Sequence, residues 1–474
     1  MQSPAPIFTR GPIMRHVAVM TATGSLGLVA VFIVDLLNLF YISLLGEAEL
    51  AAAIGYAGTI MFFTTSVALG IMIAASATVS RALGAGRPRH ARRLATASVL
   101  YMTVATVLLT LLLLPLIGPV LHLLGARGQA AEIGHRFLSF VTLSTPLLGL
   151  GMVTSSLLRA TGDASRAMWV TLGGGLVTAV LDPLLILGLG LGVDGAAIAS
   201  ILSRCAMAAM GLYWCSKTHN LFVRPRLALL LNHAQALGSI AIPAILTNIA
   251  TPVGNAFVTS ALSPYGDQAV AAWAVIGRTI PVAFGPLFAL TGAVGPIFGQ
   301  NIGAGLFDRL RTTLRDSLIL TVVYVGAVWV LLALGRHQIA AAFSLAPDAQ
   351  EIVAFFCLIS AGSFIFLGAM FVSNAAFNNL GAPLLSTGFN WGRATLGTMP
   401  FVWIGGHLMG ANGVILGQSL GAAVFGVPAM VFAFRLIDKI RRTAEAGKPM
   451  PESHPAPAEL PPLASPQDAV AIDR

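Results

Sequence analysis

Two carboxylates stand where carboxylates are costly. Asp35 lies in FIVDLLN and Asp182 in TAVLDPLL, each surrounded by apolar residues. The other acids fall in polar stretches, near the ends of apolar runs or in the C-terminal segment. Thr178 precedes Asp182 by four residues and so shares its face if the run is helical. Pro183 removes a backbone donor directly after the acid, which frees carbonyls on the preceding turn. Asn38 follows Asp35 by three residues and is a supporting partner for it. Ser200, in GAAIAS, supplies a further hydroxyl. Carboxylates and hydroxyls in a partly dehydrated pocket can do one of two things. Burial and mutual repulsion disfavour full ionisation, which makes a proton carrier. Alternatively, hard oxygens coordinate a small cation such as Na⁺. A third arrangement, a buried hydrogen-bonding knot between helices, carries no chemistry.

The elements that position these groups follow from composition. The chain has 474 residues, 56% of them hydrophobic and 9% charged. A soluble domain carries about 25% charged residues, so an ordinary cytosolic protein is excluded. A membrane-spanning helix needs about 20 mainly apolar residues. Twelve such runs lie near 17–45, 50–80, 94–118, 133–158, 167–190, 194–216, 235–262, 268–300, 312–334, 351–379, 384–406 and 411–437. They are continuously apolar rather than alternating, which selects helices over a barrel. The fold class is therefore an all-α membrane protein of twelve helices. Counted along a helix at about 1.5 Å per residue, Asp35, Asp182 and Ser200 all fall in the outer half of the bilayer.

Net charge is +9. Twenty-one of the 27 Lys and Arg fall before helix 1, after even-numbered helices or in the C-terminal segment, Arg81, Arg159 and Arg166 among them. That asymmetry reads as topology, with both termini cytoplasmic, and not as a nucleic-acid surface. Arg204, Arg278 and Arg393 lie within or at the edge of spans.

The chain repeats itself. LGEAELAAA at 45–53 matches YGDQAVAAW at 265–273, LGAG at 83–86 matches IGAG at 302–305, and LLRATG at 157–162 matches AFNNLG at 376–381. The offsets are 219 or 220 residues. Helices 1–6 (1–216) and 7–12 (235–442) are read as two copies of one bundle. They are joined by a linker at 217–234 and followed by a proline-rich disordered tail at 443–474. Six helices per copy is even, so the copies enter from the same side as parallel repeats, a transporter architecture. The second copy has no acid at depth. It offers Asn248, Asn255, Trp273, Asn374 and Asn378 as neutral contacts for a substrate, or as helix-packing residues.

No phosphate-binding loop, metal-spaced His and Cys cluster or nucleophile–base set is visible, so an enzyme is not expected. VDLLN on helix 1, LDPLL on helix 5, GAAIAS on helix 6 and GAG before a basic stretch resemble the MATE (multidrug and toxic compound extrusion) exporters, over about residues 15–440. Acids confined to the first half make the chain similar to the prokaryotic DinF-like branch. The resemblance implies a V-shaped two-lobe fold and export of organic, cationic or amphipathic compounds in exchange for H⁺ or Na⁺. It implies no cofactor beyond that ion, a lipid bilayer and a small organic molecule as partners, function as a monomer, and the inner membrane as location. By it, Asp35 and Asp182 would be the coupling carboxylates and Ser200 a hydroxyl ligand. Thr178 stands where that family often has Asn, which favours H⁺ over Na⁺. The family often has a proline in the inner half of helix 1; here VMTATGSLG has none, and Gly24 and Gly27 are the positions where bending is expected. The alternatives are a lipid-linked oligosaccharide flippase of the same superfamily, a channel or a membrane-embedded enzyme.

Overall fold

Apolar runs of this length cannot leave backbone groups unpaired in lipid, so they close their hydrogen bonds internally. In the computed structural model every regular element among the described residues is helical. Residues 6–43, 48–123, 128–343 and 345–446 are described, apart from a few side chains, Asp35 among them. The C-terminal segment expected to be a tail lies outside these residues from 447 onward.

Twelve spans emerge once the breaks are read. They are α1 (Ile13–Ser43), α2 (Ala48–Gly84), α3 (Pro88–Leu123), α4 (Gly128–Leu143 and Thr145–Thr161), α5 (Ala164–Asp182), α6 (Gly192–Tyr213), α7 (Leu227–Leu262), α8 (Asp267–Gly303), α9 (Phe307–Leu334) and α10 (Pro347–Leu358 and Phe364–Asn379). The stretch Pro383–Glu445 is 63 residues, too long for one crossing. It is broken at Gly410, where φ is +62°, giving α11 (383–409) and α12 (411–445). These two form a hairpin in which backbones touch. Gly405 faces Gly413, Gly417 faces Phe401 and Gly421 faces Gly397, with no room for a Cβ. Small residues let helices approach this closely where no hydrophobic drive separates them from lipid. The helix also continues three residues beyond Arg442, the expected boundary, and α7 begins at Leu227, inside the expected linker.

The 219-residue repeat is built into the element boundaries. α2 ends at Gly84 and α8 at Gly303; α3 starts at Pro88 and α9 at Phe307. The second segments of α4 and α10 start at Thr145 and Phe364, and α5 and α11 start at Ala164 and Pro383. Each pair is 219 apart. The turns match as well. Gly86 and Gly305 have φ of +68° and +71°, and Gly162 and Gly381 have +91° and +85°. Only glycine holds that region without strain, so these glycines fix where each copy turns.

α4 bends by 46° at Ser144. The bend leaves acceptors behind, and Arg204 of α6 takes them. Its Nη1 donates to Val141 O at 2.7 Å and to Ser144 Oγ at 2.8 Å. This buried cation is a splint for a broken helix.

The halves meet along α1, α2, α7 and α8. At the end rich in Arg, here the basic end, α2 crosses α8 at glycines. Gly84 abuts the Gln300 backbone, and Gly303 abuts the Arg81 backbone. Residues 7–11 run across this seam. Phe8, 2% exposed, donates its N–H to Gln300 Oε1 at 2.9 Å. Arg309 donates to Phe8 O at 2.9 Å and to Gly11 O at 3.0 Å.

Candidate functional site

α1 and α5 run side by side in parallel. Gly27 meets Thr171, Gly175 meets Val34 a turn or two further on, and Asn38 meets Asp182 beyond that. Small residues on both helices allow the approach, and the shared direction carries Asn38 to the level of the acid. Asn38 Nδ2 donates to Asp182 Oδ2 at 2.9 Å. Asp182 is 1% exposed, and its Oδ1 is buried with no hydrogen-bond partner. No described Lys, Arg or His forms an ion pair with it. It is the last α-helical residue of α5; from Pro183 to Gly188 the chain is a π turn. A proline lacks the N–H that would close the α ladder, and the wider turn accommodates that loss.

Asn38, read from spacing as a partner of Asp35, is thus the direct partner of Asp182. The backbone of Asp35 lies in α1 within one turn of Asn38, but its side chain lies outside the described residues. Thr178 is half-buried and its hydroxyl donates to Gly174 O of its own helix at 3.3 Å. Gly174 O also accepts from Ser203 of α6 at 2.8 Å. Ser200 is half-buried one turn before Ser203. No hydrogen bond joins Thr178 or Ser200 to Asp182.

The second-half residues separate into groups. Asn248 donates to Ala244 O of its own helix at 2.8 Å. Asn255 is exposed, and its Oδ1 accepts from Gln418 at 3.3 Å. Trp273 is half-buried against the second-half core. Asn374 is buried and accepts from Asn390 at 3.1 Å, so it belongs to a network between α10 and α11. Asn378 accepts from Ser386 at 3.2 Å in the same network but also lines a cavity between the halves. Arg393 reaches Thr251 at 3.2 Å, and Arg278 is exposed.

Arg159 departs from expectation. Read from sequence as a residue of a basic loop, it lies inside α4, which continues to Thr161, and it lines the inter-half cavity. LLRATG looked like the end of an apolar run because the charge interrupts it, although the helix goes on to the αL glycine, Gly162.

A helical bundle in two parallel copies, long and apolar enough to cross a membrane, with a bare acid buried in one copy and a closed seam between copies, has the form of a two-lobe membrane transporter. The MatE family model matches the chain twice, over residues 25–184 and 243–404, and the chain belongs to that family. It is therefore a multi-pass membrane transporter and not an enzyme. It is 28% identical to a protein of Shewanella oneidensis called FAD transporter, over 91% of this chain and 97% of that one. It is 23% identical to the multidrug export protein MepA of Staphylococcus aureus, over 91% and 96%. Among solved structures it resembles the Vibrio cholerae MATE transporter VcmN in its bent form, with TM-score 0.85, 24% identity and 90% and 97% covered. It also resembles the outward-facing conformation of a multidrug resistance MATE family transporter, with TM-score 0.87, 21% identity and 94% and 100% covered.

Proposed function

We propose that this transporter is an antiporter that exports small organic compounds, cationic or amphipathic, in exchange for H⁺. The observation that carries the reading is Asp182, a buried carboxylate with one oxygen held by Asn38 and the other bare. A carboxyl placed so has an oxygen free to take up a proton, and the hydroxyl that forms can then donate. Asp35, on the adjacent turn of α1, is the second coupling group. Thr178 and Ser200 flank this region of α5 and α6, and Thr178, which spends its hydroxyl proton on Gly174 O, lines the approach to the acid. The organic compound is carried between 1–216 and 235–442, which tilt against each other. Coupling requires that protonation favour one arrangement of the halves over the other. The π turn at Pro183 is where α5 responds.

By the distribution of Lys and Arg, the basic end faces the cytoplasm of a bacterial cell, with both termini there. The protein works as a monomer in the inner membrane. In that orientation the closed seam between Gly84 and Gly303 is the cytoplasmic gate.

The test is efflux of a fluorescent cationic dye from proteoliposomes under an imposed pH gradient and, separately, a Na⁺ gradient. The reading expects efflux with the pH gradient alone, lost in Asp182→Asn and Asp35→Asn. Efflux driven by Na⁺ alone, or unchanged in both variants, overturns it.

A further inference from the structure

The cavity between the halves straddles the axis that relates the two copies. Residues that line it come in pairs 219 apart: Met72 with Thr291, Ser76 with Gly295, and Arg159 with Asn378. The cavity is narrow, about 30 Å³, and lies just inside the closed seam. Ala160 and Asn379, the residues next to Arg159 and Asn378, accept the hydrogen bonds that close that seam.

Symmetry fails here in charge. One copy places a guanidinium on the wall, and the other places a carboxamide opposite it. Arg159 donates to Ser155 Oγ at 3.0 Å and approaches the Met72 sulfur at 3.8 Å. No described carboxylate pairs with it. A guanidinium has five donors and stays charged at any working pH, so most of its capacity is unused. The neighbouring wall offers donors beside one bare acceptor, Asn379 Oδ1. Ser76 and Thr291 donate no hydrogen bond among the described residues, and Asn378, whose oxygen is held by Ser386, has its Nδ2 left to give. A charged group withdrawn from water without a counter-charge is costly, and the counter-charge that the Arg159 guanidinium lacks is an anion.

We infer that the inter-half cavity is a binding site for the carboxylate or phosphate group of the transported compound, held by Arg159 from one half and Asn378 from the other. This rests on the antiport reading and narrows its substrate from cationic or amphipathic compounds to amphipathic ones with an anionic group. Because the two ligands belong to different halves, the anion is gripped from both sides only when the halves are together. A bound anion therefore favours the arrangement in which the seam is closed.

The experiment pairs two xanthene dyes of opposite charge, carboxyfluorescein and rhodamine 6G. Binding to the full-length protein in detergent is read by fluorescence anisotropy with no gradient, and transport is read in proteoliposomes. The expected result is that wild type binds carboxyfluorescein, and that Arg159→Gln lowers the carboxyfluorescein-to-rhodamine affinity ratio at least tenfold. Arg159→Lys should restore most of it. Asn378→Asp, which sets a carboxylate opposite the guanidinium, should reproduce the loss in a protein that still elutes as a single folded species. A ratio unchanged by Arg159→Gln, or wild type that binds no carboxyfluorescein, overturns the inference. Arg159-dependent binding without gradient-driven transport would sink the antiport reading and leave the anion site standing. Proton-driven transport of rhodamine alone would do the reverse.

Discussion

Arg81 and Gln300 are 219 residues apart in sequence and hold the same seam from opposite halves. Arg81 donates to Asn379 O at 2.6 Å, and Gln300 donates to Ala160 O at 2.8 Å; the two acceptors are also 219 apart. One helix crossing, used twice about an axis, closes the basic end.

That crossing depends on Gly84 and Gly303, each of which has the opposite backbone where a Cβ would stand. Alanine gains roughly 1 kcal/mol of helix propensity over glycine. Overpacking against backbone costs about 1–3 kcal/mol. Backbone cannot swing aside as a side chain can, so the clash should win. Gly84→Ala and Gly303→Ala are each expected to lower the thermal midpoint and to raise the reactivity of a Ser80→Cys thiol toward a polar maleimide. Unchanged reactivity in both would mean that the seam is held elsewhere.

Asp182 and Asn38 should differ in how much they matter. Asp182→Asn removes the titrating group and is expected to abolish gradient-driven exchange. Asn38→Ala removes one hydrogen bond to the acid, worth about 0.5–1.5 kcal/mol, and is expected to slow exchange several-fold while keeping it. Equal loss in both variants, measured in the same vesicles, would make Asn38 a full member of the coupling machinery.

The repeat and the number of spans could be read from sequence because local physics fixes both. Glycines held at positive φ cannot drift, so Gly86 and Gly305, or Gly162 and Gly381, keep their spacing while the rest of the two copies diverges. The pairing of Asn38 with Asp182 was not legible. Spacing along α1 links Asn38 to Asp35, while the contact that forms depends on how α1 lies along α5. Asn374 and Asn378 look alike in sequence, one turn apart, yet one is enclosed in a network and the other also reaches a cavity wall. Arg159 looked like a loop residue for the same reason: a charge ends an apolar run whether or not it ends a helix.

Asp163 gives a prediction on pH. It caps α5, accepting from Arg166 N at 3.1 Å and from His219 Nε2 at 2.8 Å, and it pairs with the Arg166 side chain. Burial pushes its carboxyl up, but the hydrogen bonds from His219 and Arg166 and the Arg166 charge outweigh that and hold it at about 2. A carboxyl lowered on folding stabilises the fold above its unfolded value, near 3.8, and loses that contribution as pH falls toward 2. The contribution is roughly 2 kcal/mol by linkage. Asp163→Asn should therefore be less stable than wild type at neutral pH, and the gap should close between about pH 4 and 2. A constant gap in thermal midpoint across that range would assign the effect to packing.

Arg204 should behave as a structural cation. Arg204→Met keeps the volume but removes the charged donor to Ser144 Oγ and Val141 O at the bend of α4, leaving Val141 O only its bonds from Ser144. A hydrogen bond from a charged donor is worth about 1.5–3 kcal/mol. The variant is expected to melt earlier, and Arg204→Lys to recover part of the loss. A melting point equal to wild type would show that the bend stands without its splint.

The stitch of Phe8 to Gln300 and Arg309 has a practical side. Anything fused at the N-terminal side sits within a few residues of hydrogen bonds that span the seam. A bulky affinity tag there would tug on the gate, and its effect would be mistaken for a property of the transporter. Handles for purification, labelling or surface attachment belong instead beyond Glu445, where the end of α12 pairs with Asp308 of its own half and with neither Phe8 nor Gln300.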